Sequence, residues 1–246
     1  MQWSDEAIIL STRKFNERDL IVNIFAQNEG IYSGLVRAGQ SNSKFGIFQP
    51  GNIVEATWRA RLDEQLGNLS AEVTNPISAK LLTDRLKLQA LLSVTTLMRT
   101  CLMERDPHQE LYSHCKFLLE HMSLHNDWLA EYVRFEIELL RHCGFGLDLS
   151  SCAATGEVEN LSYVSPKSGR AVSSFGASGF ESKLLNLPEF LLGSAAHTHD
   201  CIIKGLELTE YFFKKHIFYP QNRQLPQERI IFAEAFSKKF ELQQSA

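Results

Sequence analysis

The apolar residues of this chain repeat at two different periods, and the change falls near residue 78. Before it, short β-branched runs are separated by polar punctuation; after it, leucines recur at spacings of three and four. A period of two lines one face of a strand and a period of 3.6 lines one face of a helix, so the two halves require different elements. The expected class is α+β, strands first and helices after.

Three strands are predicted over residues 6–13, 20–25 and 31–37, with Asn28-Glu29-Gly30 as a hairpin turn. A fourth alternates Val54, Ala56, Trp58 and Ala60 against Ile53, Glu55, Thr57, Arg59 and Arg61, and residues 69–73 make a fifth. So short a sheet would expose both edges, which closure into a small barrel removes. Helices are expected from about Ser78 to Met98 with Asp84 at the first turn, from Pro107 to Met122, and from Asn126 to the glycines at 144 and 146. Residues 147–180 lose that period and read as two short strands around Pro166-Lys167-Ser168-Gly169, after which helices are expected over 181–192, 199–216 and 226–239.

Charge narrows the function classes. With 25 basic and 29 acidic residues the net charge is −4, so the whole molecule is not a polycation and any anion binding needs a local patch. One is present: Gly34 to Arg61 holds Arg37, Lys44, Arg59 and Arg61 against Glu55 alone. Arg59 and Arg61 share a strand face, and Arg13, Lys14 and Arg18 cluster at the end of the first strand and in the loop after it. Cations along a track with aromatic faces nearby are what a single nucleic-acid strand requires, and Tyr32, Phe45, Phe48 and Trp58 are the stacking candidates. The alternation around Trp58 places its ring in the barrel core instead.

Other chemistries leave weaker traces. The five cysteines are scattered and odd in number, which predicts a reducing compartment, and no secretory signal or membrane-length apolar run is visible. Cytoplasm is the expected location. Structural zinc needs paired thiolates, whereas His142, Cys143, Cys152, Thr155, His197, His199 and Cys201 supply no such pairs. The nucleotide-binding and hydrolase motifs with fixed spacing are absent. A metal-assisted hydrolase or nuclease built on His197, His199 and Asp200 is the enzyme alternative; a carboxylate cluster from Glu136 and Glu138 would escape a motif scan, but both are expected on a solvated helix face. A peptide-binding adaptor without direct DNA binding is another, with Phe212, Phe213, Phe218 and Tyr219 beside Lys214, Lys215 and His216; most of those aromatics are expected in the core.

Several segments carry a family likeness. Trp3-Ser4-Asp5-Glu6-Ala7-Ile8-Ile9-Leu10, Phe15-Asn16-Glu17-Arg18-Asp19-Leu20, the run from Gln49 to Arg61, Gly144-Phe145-Gly146-Leu147-Asp148-Leu149, Cys152-Ala153-Ala154-Thr155-Gly156 and the run from Tyr163 to Val172 resemble, in order and spacing, the RecO family of bacterial recombination mediators. The resemblance implies an OB-fold domain over residues 1–78 and a helical domain over 79–246, with a small zinc-finger-like β insert at about 147–180. This insert lacks the paired cysteines of zinc-bearing members, so it is expected to be metal-free. The resemblance further implies a non-catalytic mediator, without cofactor, that binds single- and double-stranded DNA and anneals strands. It would work with RecR and single-stranded-DNA-binding protein to load RecA, in the cytoplasm and at the nucleoid during repair. The DNA contacts expected are Arg13, Lys14, Arg18, Arg37, Lys44, Arg59 and Arg61, with Lys167 and Arg170 in addition.

Overall fold

A computed structural model of the chain describes residues 1–62, 65–194 and 198–244. It divides into two compact units, Met1–His125 with Pro226–Phe232 and Asn126–Leu225 with Ala233–Ala246. Among the described residues no helix is long and apolar enough to cross a membrane.

The first unit opens with five strands: β1 (Gln2–Lys14), β2 (Leu20–Ala26), β3 (Gly30–Val36), β4 (Ile53–Arg59) and β5 (Gly67–Asn75), with a single helical turn α1 (Asn42–Phe45) after β3. They close into a barrel in the order β1-β2-β3-β5-β4, the OB-like arrangement. Strand β1 serves two neighbours: Gln2 to Ile8 pair with β4 and Ala7 to Lys14 with β2, and the register slips between Ile9 and Ser11. That extra residue is a bulge, which bends the strand enough for five strands to meet. The closing seam is short, a parallel contact of Gly34 with Gly67 and Leu35 with Asn68.

Alternation fills the barrel as the sequence predicts. Val54, Ala56, Trp58 and Ala60 point inward with Ala7, Ile9, Val22, Ile24, Tyr32, Val36 and Leu69. Trp58 stacks on Trp3 with ring centroids 5.9 Å apart and meets Tyr32 edge-on at 5.0 Å. The outward faces of β1 and β2 are apolar as well, with Ile8, Leu10 and Phe25 fully buried. Three helices belong to the same unit: α2 (Ile77–Leu81), α3 (Arg85–Cys101) and α4 (Gln109–Leu124). Asp84 caps α3, accepting from the amides of Leu86 and Lys87 at 3.0 and 3.1 Å. Helix α4 is tied to β1 by Glu6, whose carboxylate accepts from Lys116 Nζ at 2.8 Å and from the Tyr112 hydroxyl at 3.0 Å.

The second unit contains α5 (Leu129–His142), a three-stranded sheet of β6 (Leu161–Val164), β7 (Ala171–Ser173) and β8 (Leu185–Asn186) in the order β7-β6-β8, and α6 (His199–Phe212). Helix α6 widens into a π-helical stretch at Phe213–Phe218. A last helix, α7 (Gln227–Gln244), contributes to both units. The hairpin around Pro166 to Gly169 forms as expected, with Val164 opposite Ala171. The helix expected over 181–192 does not. Glu181–Lys183 and Glu189–Leu192 are 3-10 turns, and β8 lies between them, paired with Tyr163 and Val164. Pro188 is the cause: it donates no amide hydrogen and disfavours helical geometry at Leu187, leaving the preceding residues to pair as an edge strand.

Candidate functional site

Strands β3, β5 and β4 are neighbours in the barrel, and their outward side chains line a groove of about 370 Å³. Its floor is Leu35, Thr57, Asn68 and Ser70, and its cations are Arg37, Lys44 and Arg59. The register explains the grouping. Asn68 lies beside Leu35 on one side and Arg59 on the other, and Thr57 lies opposite Ser70. Among the described residues, none that lines the groove is acidic.

Two of these cations bond to neutral groups. Arg59 Nε donates to the neutral amide oxygen of Gln2 at 2.8 Å, and Lys44 Nζ donates to the backbone carbonyl of Arg37 at 3.0 Å. All three side chains are exposed. The sign of the surface reverses along the same strands: Glu55 stands opposite Glu72, both exposed, four residues or roughly 13 Å from Arg59. A polyanion on this face is therefore drawn to the Arg59 end and repelled from the other.

Loop 15–19 adjoins that end through hydrogen bonds. The Ala38 amide donates to Asp19 Oδ1 at 2.9 Å, the Gln40 amide to the Arg18 carbonyl at 3.1 Å, and Gln40 Nε2 to the Asn16 carbonyl at 2.6 Å. The Asp19 carboxyl is held below its ordinary range by the Ala38 amide first, then by the Asn16 side chain, with the charges of Arg37 and Arg18 adding to them. Asp19 thus brings Arg18 and Arg37 to one region, and Arg13 and Lys14 are exposed at the end of β1 that enters the loop. Arg61 is exposed just past β4. Lys167 and Arg170 belong to the second unit, where Lys167 is exposed on the hairpin turn and Arg170 Nε pairs with Asp148 at 3.2 Å.

The stacking candidates separate cleanly. Trp58 is 0% exposed, and Tyr32 and Phe48 are also buried, so none of the three offers a ring to a ligand. Phe45 is 61% exposed, and so is Phe15, at 57%, which the sequence reading did not single out for stacking. The signal for Phe15 was an apolar residue in an otherwise polar, charged loop.

The remaining candidates are engaged elsewhere. His197 lies outside the described residues; His199 stacks on Phe236 at 5.8 Å, and Asp200 pairs with Lys204 at 2.6 Å. Glu136 is buried and accepts from the Thr209 hydroxyl at 2.5 Å, whereas Glu138 pairs with Arg141 at 2.8 Å, so the two carboxylates do not converge. The expectation that both lie on a solvated face fails at Glu136, because residues two apart on a helix point in different directions. Phe212, Phe213 and Phe218 are buried and Tyr219 is exposed.

Cys152 is buried among hydrogen-bond donors. Its Sγ accepts from the Ser173 amide at 3.2 Å, the Ser173 hydroxyl at 3.4 Å and the Thr155 amide at 3.4 Å, and the Ser173 hydroxyl also reaches Glu157 at 3.0 Å. Hydroxyls, one carboxylate and one thiol do not make the nitrogen and sulfur set that structural zinc takes. Burial alone would raise the thiol, but the bonds from Ser173 and Thr155 outweigh it and bring the pKa to about 6. An unfolded cysteine titrates near 8.5. The contribution to stability is therefore complete above about pH 8.5 and is lost as pH falls through about 6. Urea unfolding followed across that window should show stability rising with pH more steeply for the natural protein than for Ser173→Ala; parallel profiles would refute the assignment.

An OB-like barrel with a cationic groove on its outer face, followed by helices, defines an α+β protein of the OB-like barrel class. Sequence comparison specifies it further. The family model for "Recombination protein O N terminal" matches residues 1–77 and that for "Recombination protein O C terminal" matches residues 82–225. The DNA repair protein RecO of Granulibacter bethesdensis is 42% identical over 94% of this chain and 93% of its own length. Those of Methylocella silvestris and Rhodospirillum centenum are 41% and 40% identical, over 98% and 97% of this chain and 98% and 96% of their own lengths. The chain belongs to the RecO family, and its role lies in DNA repair and recombination.

Proposed function

We propose that this chain is a non-catalytic recombination mediator that binds single- and double-stranded DNA, anneals complementary strands and, with RecR and single-stranded-DNA-binding protein, assists the loading of RecA. The observation that carries this reading is the groove in which Arg37, Lys44 and Arg59 converge with no carboxylate among its described lining residues. Residues 1–78 would form the DNA-binding domain and 79–246 the helical domain. Arg13, Lys14, Arg18 and Arg61 would extend the phosphate track from the groove, and Lys167 and Arg170 would add contacts from a metal-free zinc-finger-like insert at about 147–180. The work would take place in the cytoplasm, at the nucleoid during repair.

The mechanism is electrostatic. Cations that neutralise phosphates release condensed counterions and lower the repulsion between two strands, so pairing proceeds on the protein surface without bond chemistry. The protein alone should accelerate annealing of two complementary labelled oligonucleotides, followed by energy transfer, and the acceleration should fade as salt rises. Annealing no faster than in buffer would favour the peptide-binding adaptor. Strand cleavage dependent on a divalent ion would favour the hydrolase.

A further inference from the structure

We propose that Phe15 and Phe45 form a two-ring platform on which bases of single-stranded DNA stack, giving the barrel a preference for unpaired strands. The inference rests on the DNA-binding reading above and adds strand selectivity to it. Seven aromatic residues lie in the first 78 positions, and these two are the exposed ones; Phe25, Tyr32, Phe48 and Trp58 are buried and Trp3 packs against the barrel core. Neither exposed ring has an aromatic partner among the described residues. An exposed phenyl ring gives up the gain of burial, and two such rings, one in the loop after β1 and one at the end of α1, each next to a lysine in sequence, suit flat apolar ligands carrying phosphates.

Both rings sit on backbone that is already fixed. The Phe15 amide donates to the Asp19 carbonyl at 3.0 Å, and Asn16 Oδ1 accepts from the amides of Arg18 and Asp19 at 2.8 and 2.7 Å, which closes the turn after Phe15. The Phe45 amide donates to the Ser41 carbonyl at 3.0 Å, and its own carbonyl accepts from Gln49 Nε2 at 2.9 Å. The Gln40 and Ala38 bonds described above join the two loops. Little conformational freedom of the backbone is then lost when a strand binds.

Charge identifies the occupant. Lys14 precedes Phe15 and Lys44 precedes Phe45, so each ring is next to a cation in sequence, and cations near aromatic faces are what a single strand requires. A duplex keeps its base faces stacked on one another and would gain only the phosphate contacts.

The test uses the full-length protein and Phe15→Ala, Phe45→Ala, the double variant and Phe15→Trp. Each is titrated by anisotropy against a labelled single strand, a duplex of equal length and an abasic single strand, at several salt concentrations. Single-strand affinity should fall about tenfold per ring removed, with duplex affinity and the salt slope unchanged. The natural protein should bind the normal strand more tightly than the abasic one, the double variant should bind both alike, and Phe15→Trp should retain the preference. Unchanged single-strand affinity in the double variant overturns the platform. So does an equal loss on all three ligands, or a loss of salt slope. Natural protein that binds none of the three overturns the DNA reading and the platform with it; natural protein that binds all three alike overturns the platform alone.

Discussion

Trp58→Ala is expected to destabilise the protein by about 4 kcal/mol, at the upper end for a truncated core residue. The ring is fully buried, packs between Trp3 and Tyr32, and donates from Nε1 to the Ser33 carbonyl at 3.0 Å. Its loss would open a cavity and leave that carbonyl without its partner. The barrel is also built to the ring's dimensions: a Cβ on Gly67 would stand 2.2 Å from Trp58 Cε2, and one on Gly34 would stand 2.6 Å from the Leu69 Cβ. Both glycines belong to the two-pair seam that closes the barrel, and Leu35 and Asn68 of the groove floor are on the same seam. Gly67→Ala should therefore also destabilise, by pushing β5 off the ring, while Trp58→Phe should cost less than Trp58→Ala. Urea unfolding followed by circular dichroism reads all three. A loss below about 1 kcal/mol for Trp58→Ala would mean that the interior relaxes around the gap and that the seam does not depend on the ring.

Replacing Arg37, Lys44 and Arg59 together by alanine is expected to lower single-strand affinity about a hundredfold at 0.1 M salt while leaving stability within about 0.5 kcal/mol. Each phosphate contact contributes roughly 0.7 to the dependence of log affinity on log salt, so three contribute about 2, and that difference grows as salt falls below 1 M. Stability should hold because all three side chains are exposed and their described hydrogen bonds go to neutral groups. Opposite-sign control comes from the same face: Glu55→Gln and Glu72→Gln remove repulsion at the far end and should raise affinity modestly. Folding and binding losses are thus assigned to different residues, which separates a damaged barrel from a disarmed groove.

The barrel was legible because the residues from Val54 to Arg61 alternate apolar and polar without exception, which assigns Trp58 inward and Arg59 outward. The helices were legible where their apolar stripes are long, and the start of α2 at Ile77 matches the change of period. Tyr32 and Phe48 were harder. Strand β3 is apolar on both faces, so alternation does not say which way Tyr32 points, and Phe48 sits in a loop that plugs the barrel interior. Long-range pairings left no local trace: Glu6 meets Lys116 and Glu136 meets Thr209 only after folding. The groove itself falls between these cases. Its cations were readable one by one, but their convergence depends on β3 lying parallel beside β5, which no nearby pattern encodes.

The most direct measurement is a fluorescence-anisotropy titration of a labelled single strand with the full-length protein at several salt concentrations. The account predicts saturable binding whose log affinity falls linearly with log salt, and a slope about 2 shallower for the Arg37, Lys44 and Arg59 triple variant. Binding with the same slope in both proteins would place the phosphate contacts outside this groove, and the absence of saturable binding by the natural protein would remove DNA as its ligand.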